Sequence, residues 1–302
     1  MLTISRFRPV TMDDRDVFSR HYAQYPPEHS DNLFSNIACW NHFAHYTYAG
    51  HKGCLIISST VQGVTTFRPP IGPRDREVLL DVIDLAVREG GERPLVLVDE
   101  PTTAWIRTLF PDLSLQPDRD YWEYVYLTRD LARLSGGKYL SIRRQLNRFV
   151  DRCHHTVEEI NPGNLADVRT FLHEWCEWKQ CNEHPFLSYE KDAVIFAIEK
   201  FCELGLEGLA IRVGEKIGAI AIFEELNRET AVVHFEKGLP DCEGIYKAIN
   251  AETARFLEHR YTYINRESDM GVPGLREAKM RYHPHHMVKV FSVARDDLAR
   301  LV

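Results

Sequence analysis

Two stretches of this sequence gather acids, bases and amides behind apolar runs. His234-Phe235-Glu236-Lys237 follows Ala231 to Val233, and Asn265-Arg266-Glu267 with Asp269 follows Tyr261 to Ile264. Polar groups released at strand ends are held by a rigid scaffold yet face an open crevice, where α/β proteins place their chemistry. Glu236 suits general-base work. Lys237 and Arg266 suit pairing with phosphate or stabilising negative charge as it develops. Asn265 offers a neutral donor and acceptor for orientation. Glu267 can share the role of Glu236, because neighbouring carboxylates push their protonation apart. The bland alternative is a solvated Glu-Lys pair, with Glu267, Ser268 or Asp269 capping the next helix. So many unlike polar groups behind two apolar strands favour a site.

A second constellation lies between Lys138 and Arg152. Arg144, Arg148 and Arg152 recur every four residues while Ile142, Leu146, Phe149 and Val150 take the opposing side, which describes a helix with a basic stripe and an apolar back. Lys138, Arg143, Arg144, Asn147 and Arg148 are therefore candidate contacts for phosphates, whether of a nucleic-acid stem, a nucleotide or lipid headgroups. A solvated linker helix between domains fits the pattern equally well. Tyr246 and Asn250, one turn apart and followed by Thr253, either line a cleft beside Glu236 or pack in the core with a buried hydrogen bond. Asp269, Lys279 and Tyr282 complete the set of candidate binding residues.

Several other chemistries lack their motifs. Gly136-Gly137-Lys138 has neither the earlier glycine nor the Ser or Thr of a P-loop, and there is no Gly-x-Ser-x-Gly elbow. His173, Cys176, Cys181 and His184, like Cys153-His154-His155, are too irregularly spaced for a zinc site, so no metal and no tightly bound cofactor is expected.

The elements that must position these residues follow from periodicity. The chain has 302 residues, 44% apolar and 27% charged, with a net charge of −7, which fits two ordinary globular domains and argues against a wholesale nucleic-acid coat. Seven scattered cysteines suggest reduced thiols, and the absence of a signal core or an apolar run of membrane-spanning length points to a cytoplasmic protein without a transmembrane segment. Contact with a membrane surface stays open, and oligomeric state is not encoded.

From Cys54 onward the order is hairpin, helix, strand, helix, strand, ending at Tyr124 to Leu127. After the basic segment come a strand near Thr156 to Ile160, two amphipathic helices, a hairpin through Gly214-Glu215-Lys216 and a strand from Ala231 to Phe235. A helix from Gly244 to His259, a strand from Tyr261 to Ile264, a helix from Leu275 to Arg281 and a strand from Met287 to Val293 complete the chain. The two halves share this order, so the expected fold class is α/β (α+β): two tandem GNAT-like domains with mixed central sheets, divided at 135/136, with the basic helix 138–152 at the junction.

Several stretches also resemble the family typified by the C-terminal domain of phosphatidylglycerol lysyltransferase and its many relatives of unknown function. They are Phe67-Arg68-Pro69-Pro70-Ile71-Gly72; Tyr124-Val125-Tyr126 leading to Asp130-Leu131 and Gly136-Gly137-Lys138; Arg143-Arg144-Gln145-Leu146-Asn147-Arg148-Phe149; His234-Phe235-Glu236-Lys237; and Asn265-Arg266-Glu267 with Asp269, Gly271, Gly274-Leu275, Lys279 and Tyr282-His283-Pro284. The resemblance implies a tandem GNAT-like fold and transfer of an aminoacyl group from a charged tRNA, akin to the Fem transferases. On that reading the basic stripe would meet a tRNA acceptor stem, and Glu236 would serve as the base or hold the aminoacyl ammonium. Characterised lysyltransferases carry a membrane-embedded domain that this sequence lacks, so the acceptor is left as an unidentified amine or hydroxyl, a lipid headgroup or a small molecule. Two readings compete. An acyl-CoA-dependent N-acyltransferase would need a loop receptive to pyrophosphate, where Asp241 and Glu243 oppose it. A non-catalytic module would bind nucleic acid or anionic lipid through 138–152.

Overall fold

The computed structural model describes residues 2–302. Elements form where the sequence periodicity dictates: β-branched and aromatic runs extend, and apolar residues returning every three or four positions coil. The first part of the chain gives β1 (Arg8–Pro9), α1 (Arg15–Tyr22), α2 (Phe34–Cys39), α3 (Asn41–Ala44), β2 (Thr47–His51), β3 (Cys54–Val61), β4 (Val64–Phe67), α4 (Arg76–Glu89), β5 (Leu95–Asp99), α5 (Glu100–Leu109) and β6 (Gln116–Pro117). Then come β7 (Glu123–Leu127), α6 (Thr128–Arg133), α7 (Leu140–Arg152), β8 (His155–Glu159), α8 (Leu165–Lys179), α9 (Pro185–Glu199), α10 (Phe201–Leu204), β9 (Glu207–Val213), β10 (Lys216–Asn227) and β11 (Thr230–Gly238). The chain closes with α11 (Ile245–Leu257), β12 (Tyr263–Asn265), α12 (Pro273–Met280), β13 (His286–Val288), β14 (Val290–Val293) and α13 (Arg295–Leu298).

The first unit comprises residues 1–123, 268–271 and 288–302, and the second comprises 124–267 and 272–287. In the first, the strand order is β1-β2-β3-β4-β5-β14-β6. Helix α4 starts where the Asp75 carboxylate accepts the Glu77 and Val78 backbone N–H groups, and it buries Val78, Leu79, Val82, Ile83 and Ala86 against this sheet's core. Strands β4 and β5 are parallel but share a single paired position, Phe67 with Leu95.

The second sheet repeats the plan in the order β8-β9-β10-β11-β12-β7-β13, again with parallel strands fourth and fifth. Three pairs hold β11 to β12: Thr230 with Tyr263, Ala231 with Ile264 and Val232 with Asn265. Beyond them β11 continues to Gly238 while β12 stops, so the sheet opens into a fork. Its core is built from Ala219, Ala221, Phe223, Ala231 and Val233 of the sheet and Ile245, Ala248, Ile249, Ala251 and Ala254 of α11. Two mixed sheets of this plan are tandem GNAT-like domains.

Four features depart from the sequence-based expectations, the first being that the single strand expected from Met287 to Val293 is divided into β13 of the second sheet and β14 of the first. The expected division at 135/136 does not coincide with the units, because β7 is the sixth strand of the second sheet and β14 the sixth strand of the first. Linear order gives no information about which sheet a strand joins. Cys153 and Cys242 form a disulfide across 89 positions, where the scattered spacing suggests reduced thiols; Cys39, Cys54, Cys176, Cys181 and Cys202 are free. The partners come from the end of α7 and the loop before α11, a proximity that spacing does not reveal. Finally, Val150 is exposed while Ile142, Leu146 and Phe149 form the buried side of α7.

Candidate active site

Strict alternation along β11 would put Lys237 on the side of Ala231 and Val233, facing α11. A bulge prevents this. Phe223 of β10 pairs with Val233, but the next residue back, Ile222, pairs with Phe235, so His234 is an extra residue and the phase of the strand flips. Glu236 therefore faces α11, where Asn250 Nδ2 donates to its Oε2 at 3.2 Å. Lys237 lies on the opposite face, ion-paired with Glu190 of α9 at 2.5 Å and 4.5 Å from the Trp175 ring of α8. The structure does not bring Glu236 and Lys237 together.

Arg266 joins Glu236 instead. It follows β12 directly, its backbone N–H donates to the Tyr124 carbonyl, and its Nη2 donates to Glu236 Oε1 at 2.8 Å. The pair is nearly buried, at 13% and 12% exposure. Tyr282 and Tyr126 present their rings to the guanidinium at 5.0 and 5.9 Å. Burial opposes the charge on Arg266 and Glu236 supports it, with a net upward shift. Burial also pushes the phenols of Tyr126 and Tyr282 up, so both are neutral hydroxyls at ordinary pH. Arg266 Nη1 is buried without a hydrogen-bond partner. A stranded guanidinium donor costs stability unless a ligand oxygen meets it.

Helix α11 lines the other side of the fork. Gly244 precedes it with φ of 92°, and a Cβ there would stand 2.3 Å from the Gln145 carbonyl oxygen, so glycine is what lets the helix start so close to α7. Asn250 and Thr253 are buried, and Asn250 Oδ1 and Thr253 Oγ1 lack partners. Tyr246 accepts from Trp175 Nε1 at 3.2 Å, and burial raises its pKa. Lys247 is a member of the site that sequence reasoning misses. It is half-buried with its ammonium 5.1 Å from the Tyr282 ring, and burial followed by the nearby Arg266 charge holds its pKa below the ordinary lysine value, against the pull of Glu236. A lysine on an amphipathic helix reads as a surface residue, and only the position of Asn250 one turn away could have drawn attention to it.

The remaining predicted residues shape the loop. Asn265 is fully buried, and its Oδ1 accepts the Glu267 backbone N–H at 2.8 Å, a local bond that supports φ of 58° at Glu267. The Glu267 carboxylate lies 2.7 Å from His234 Nδ1, and Glu224 lies 2.7 Å from Nε2. Burial opposes the charge on His234, but the two carboxylates win and push its pKa up to about 10, so Glu267 serves a buried ion triad and is no free base. Lys279 Nζ donates to the carbonyls of Arg266 and Glu267 at 2.6 and 3.1 Å and pins the segment after β12. Asp269 belongs to the first unit, where its buried carboxylate accepts from Arg119 and from the Gly271 backbone, each at 3.0 Å.

On α7, Arg143 turns back to donate to the Leu134 and Gly136 carbonyls. Arg144 and Asn147 are exposed. Lys138 lies 3.6 Å from Asp130, and Arg148 and Arg152 lie 2.6 and 3.7 Å from Glu243. The pairs made by Arg148 and Arg152 offset the Glu243 charge that the sequence sets against a phosphate ligand. A three-residue grouping, His29, Asp31 and Glu123 of the first unit, has one ligand atom from each within 4.8 Å. Its members are engaged within the protein: His29 Nε2 meets the Tyr121 carbonyl at 2.8 Å, Ser30 donates to Glu123, and Asn36 donates to Asp31.

The chain has relatives. Residues 22–294 match the family described as phosphatidylglycerol lysyltransferase, C-terminal. The chain belongs to this family. A conserved protein of unknown function from Bacteroides thetaiotaomicron VPI-5482 is 30% identical and superimposes with a TM-score of 0.88 over 95% of this chain and 98% of that one. The C-terminal domain of a protein described as a putative lysylphosphatidylglycerol synthetase from Agrobacterium fabrum is 14% identical, with a TM-score of 0.65 over 96% and 94%. L-PGS from Bacillus licheniformis is 13% identical, with a TM-score of 0.63 over 94% and 92%. These two share the fold of this family member. No curated protein matches the chain. Among the described residues, no helix is long and apolar enough to cross a membrane.

Proposed function

We propose that the second unit transfers an aminoacyl group from a charged tRNA to an amine or hydroxyl acceptor. Family membership supports the class of reaction, and one observation carries the assignment of the site: Arg266 Nη1, buried and unpartnered beside the Glu236 pair at the mouth of the forked sheet. An ester carbonyl seated there meets a fixed cationic donor, which stabilises the oxyanion that forms when the acceptor attacks. Glu236 holds Arg266 and Asn250 in position, and the buried rings of Tyr126 and Tyr282 lie against the guanidinium, where a low local dielectric strengthens the interaction. The exposed Arg144, with Lys138 and Arg148, supplies contacts for the phosphates of an acceptor stem. A panel of charged tRNAs, assayed for deacylation stimulated by candidate acceptors, tests the reading. The double variant Glu236→Gln, Arg266→Ala should abolish transfer, and full activity in that variant would end the assignment.

One observation favours a second donor. Arg148 and Arg152 neutralise Glu243 beside the start of α11, which removes part of the objection to a pyrophosphate at that helix terminus. Calorimetry with acetyl-CoA separates the two: micromolar binding supports an acyl-CoA donor, and its absence supports the charged tRNA.

A further inference from the structure

We infer that Lys247 Nζ takes the proton from the attacking amine or hydroxyl, and that Glu236 is a positioning residue. This rests on the acyl-transfer reading of the site. Each oxygen of Glu236 is already engaged, Oε1 by Arg266 and Oε2 by Asn250, so abstracting a proton would break the ion pair that holds the oxyanion donor. Lys247 has the opposite arrangement. It sits three residues before Asn250 on the same side of α11, its stem is half-buried, and its ammonium meets the face of Tyr282 with no hydrogen bond or ion pair to a described residue. The same ring carries Arg266 at 5.0 Å, so Lys247 and the donor that would hold the substrate carbonyl share Tyr282 as a common neighbour. Charged and titratable groups around it are Arg266 and Tyr282, with Arg281 of the turn after α12 and Glu236 of β11. Two of the three charged neighbours are cations, and with burial they lower the cost of a neutral amine and hold the Lys247 ammonium below the ordinary lysine value.

The orientation of Asn250 fits. A carboxylate only accepts, so the amide must turn Nδ2 to Glu236, and this leaves Oδ1, buried and unpartnered, to accept an N–H or O–H from the incoming nucleophile. In the step itself the acceptor nitrogen or oxygen bonds to the ester carbonyl carbon as its proton passes to neutral Lys247. The carbonyl electron pair moves to oxygen beside Arg266 Nη1, and on collapse the ester C–O bond breaks. The departing ribose oxygen takes the proton back from Lys247, so charge and protons balance over the cycle.

Two measurements test this separately from the function. In the first, reductive methylation with carbon-13 followed by NMR titration reads Lys247 in the wild-type protein and needs no substrate. Its midpoint should fall below those of the exposed lysines and should move up in Arg266→Gln. A midpoint among the exposed lysines would overturn the proposal. In the second, transfer is followed in Lys247→Arg, which keeps the charge but stays protonated, and in Lys247→Gln. Both should lose about 100-fold or more in kcat with donor KM little changed, and the alkaline-rising limb of the wild-type pH profile should disappear. Wild-type turnover in Lys247→Arg with the same pH profile would sink the base while leaving aminoacyl transfer intact. Absence of transfer by the wild type from every donor would sink the functional reading, and the titration would then decide the state of Lys247 alone.

Discussion

Arg266 gives one terminal nitrogen to Glu236 at 2.8 Å and keeps the other, Nη1, buried without a well-formed hydrogen bond, with the Tyr282 side chain beside the guanidinium. Replacing Glu236 by Gln removes the countercharge from a nearly buried cation, a change that typically costs about 3–5 kcal/mol. Denaturant unfolding should show that loss for Glu236→Gln, and a smaller one for the double variant with Arg266→Leu, since removing both partners strands no charge. Equal losses would mean that the pair is solvated.

The triad around His234 predicts a pH dependence. Folding raises the imidazole pKa from 6.5 to about 10, so its contribution to stability is complete below about pH 6.5 and disappears as pH climbs through about 10. Thermal unfolding across that window should show a decline in the wild type that is missing in His234→Gln. Identical slopes would place the protonated imidazole elsewhere.

Charge reversal on α7 separates its arginines. Arg144→Glu should weaken tRNA binding and reduce the slope of log affinity against log salt by roughly one unit for each phosphate it no longer neutralises. Arg143→Ala should lower thermal stability, because Arg143 holds the Leu134 and Gly136 carbonyls, and should leave the salt slope of binding unchanged. Filter binding over a salt series gives both answers.

Gly244→Ala introduces a Cβ 2.3 Å from backbone at a positive φ. Strain of this kind costs on the order of 1–3 kcal/mol. Relief of the clash would displace the first turn of α11, which carries Tyr246 and Lys247, so transfer should fall with stability. An unchanged melting temperature would mean that α7 yields easily.

Reducing the Cys153–Cys242 disulfide frees the end of α7 from the loop before α11. Loss of a cross-link of this span typically removes about 2–4 kcal/mol. Cys153→Ser should reproduce the effect in the absence of reductant, and reductant should then cause no further loss.

Much of the architecture is legible in the sequence. The hairpin turn at Gly214, the buried stripe of α4 and the apolar side of α7 are written in local periodicity, and local periodicity survives folding. The site is only half legible. Asn265, Arg266 and Glu267 stand out as a group because they follow an apolar strand, yet Arg266 alone faces Glu236, while Asn265 bonds the local backbone and Glu267 pairs with His234. Adjacency in sequence puts Lys237 beside Glu236; a single extra residue at His234 sends them to opposite faces. Bulges and inter-strand register depend on partners far along the chain, and no window of residues contains them.

The exchange of sixth strands also bears on how the molecule is made. Strand β14 lies between β5 and β6, so the first sheet keeps a gap until residues 290–293 have been synthesised, after the whole of the second unit. The leading 123 residues of a nascent chain of 302 therefore wait with unpaired edges exposed, a standing invitation to chaperones.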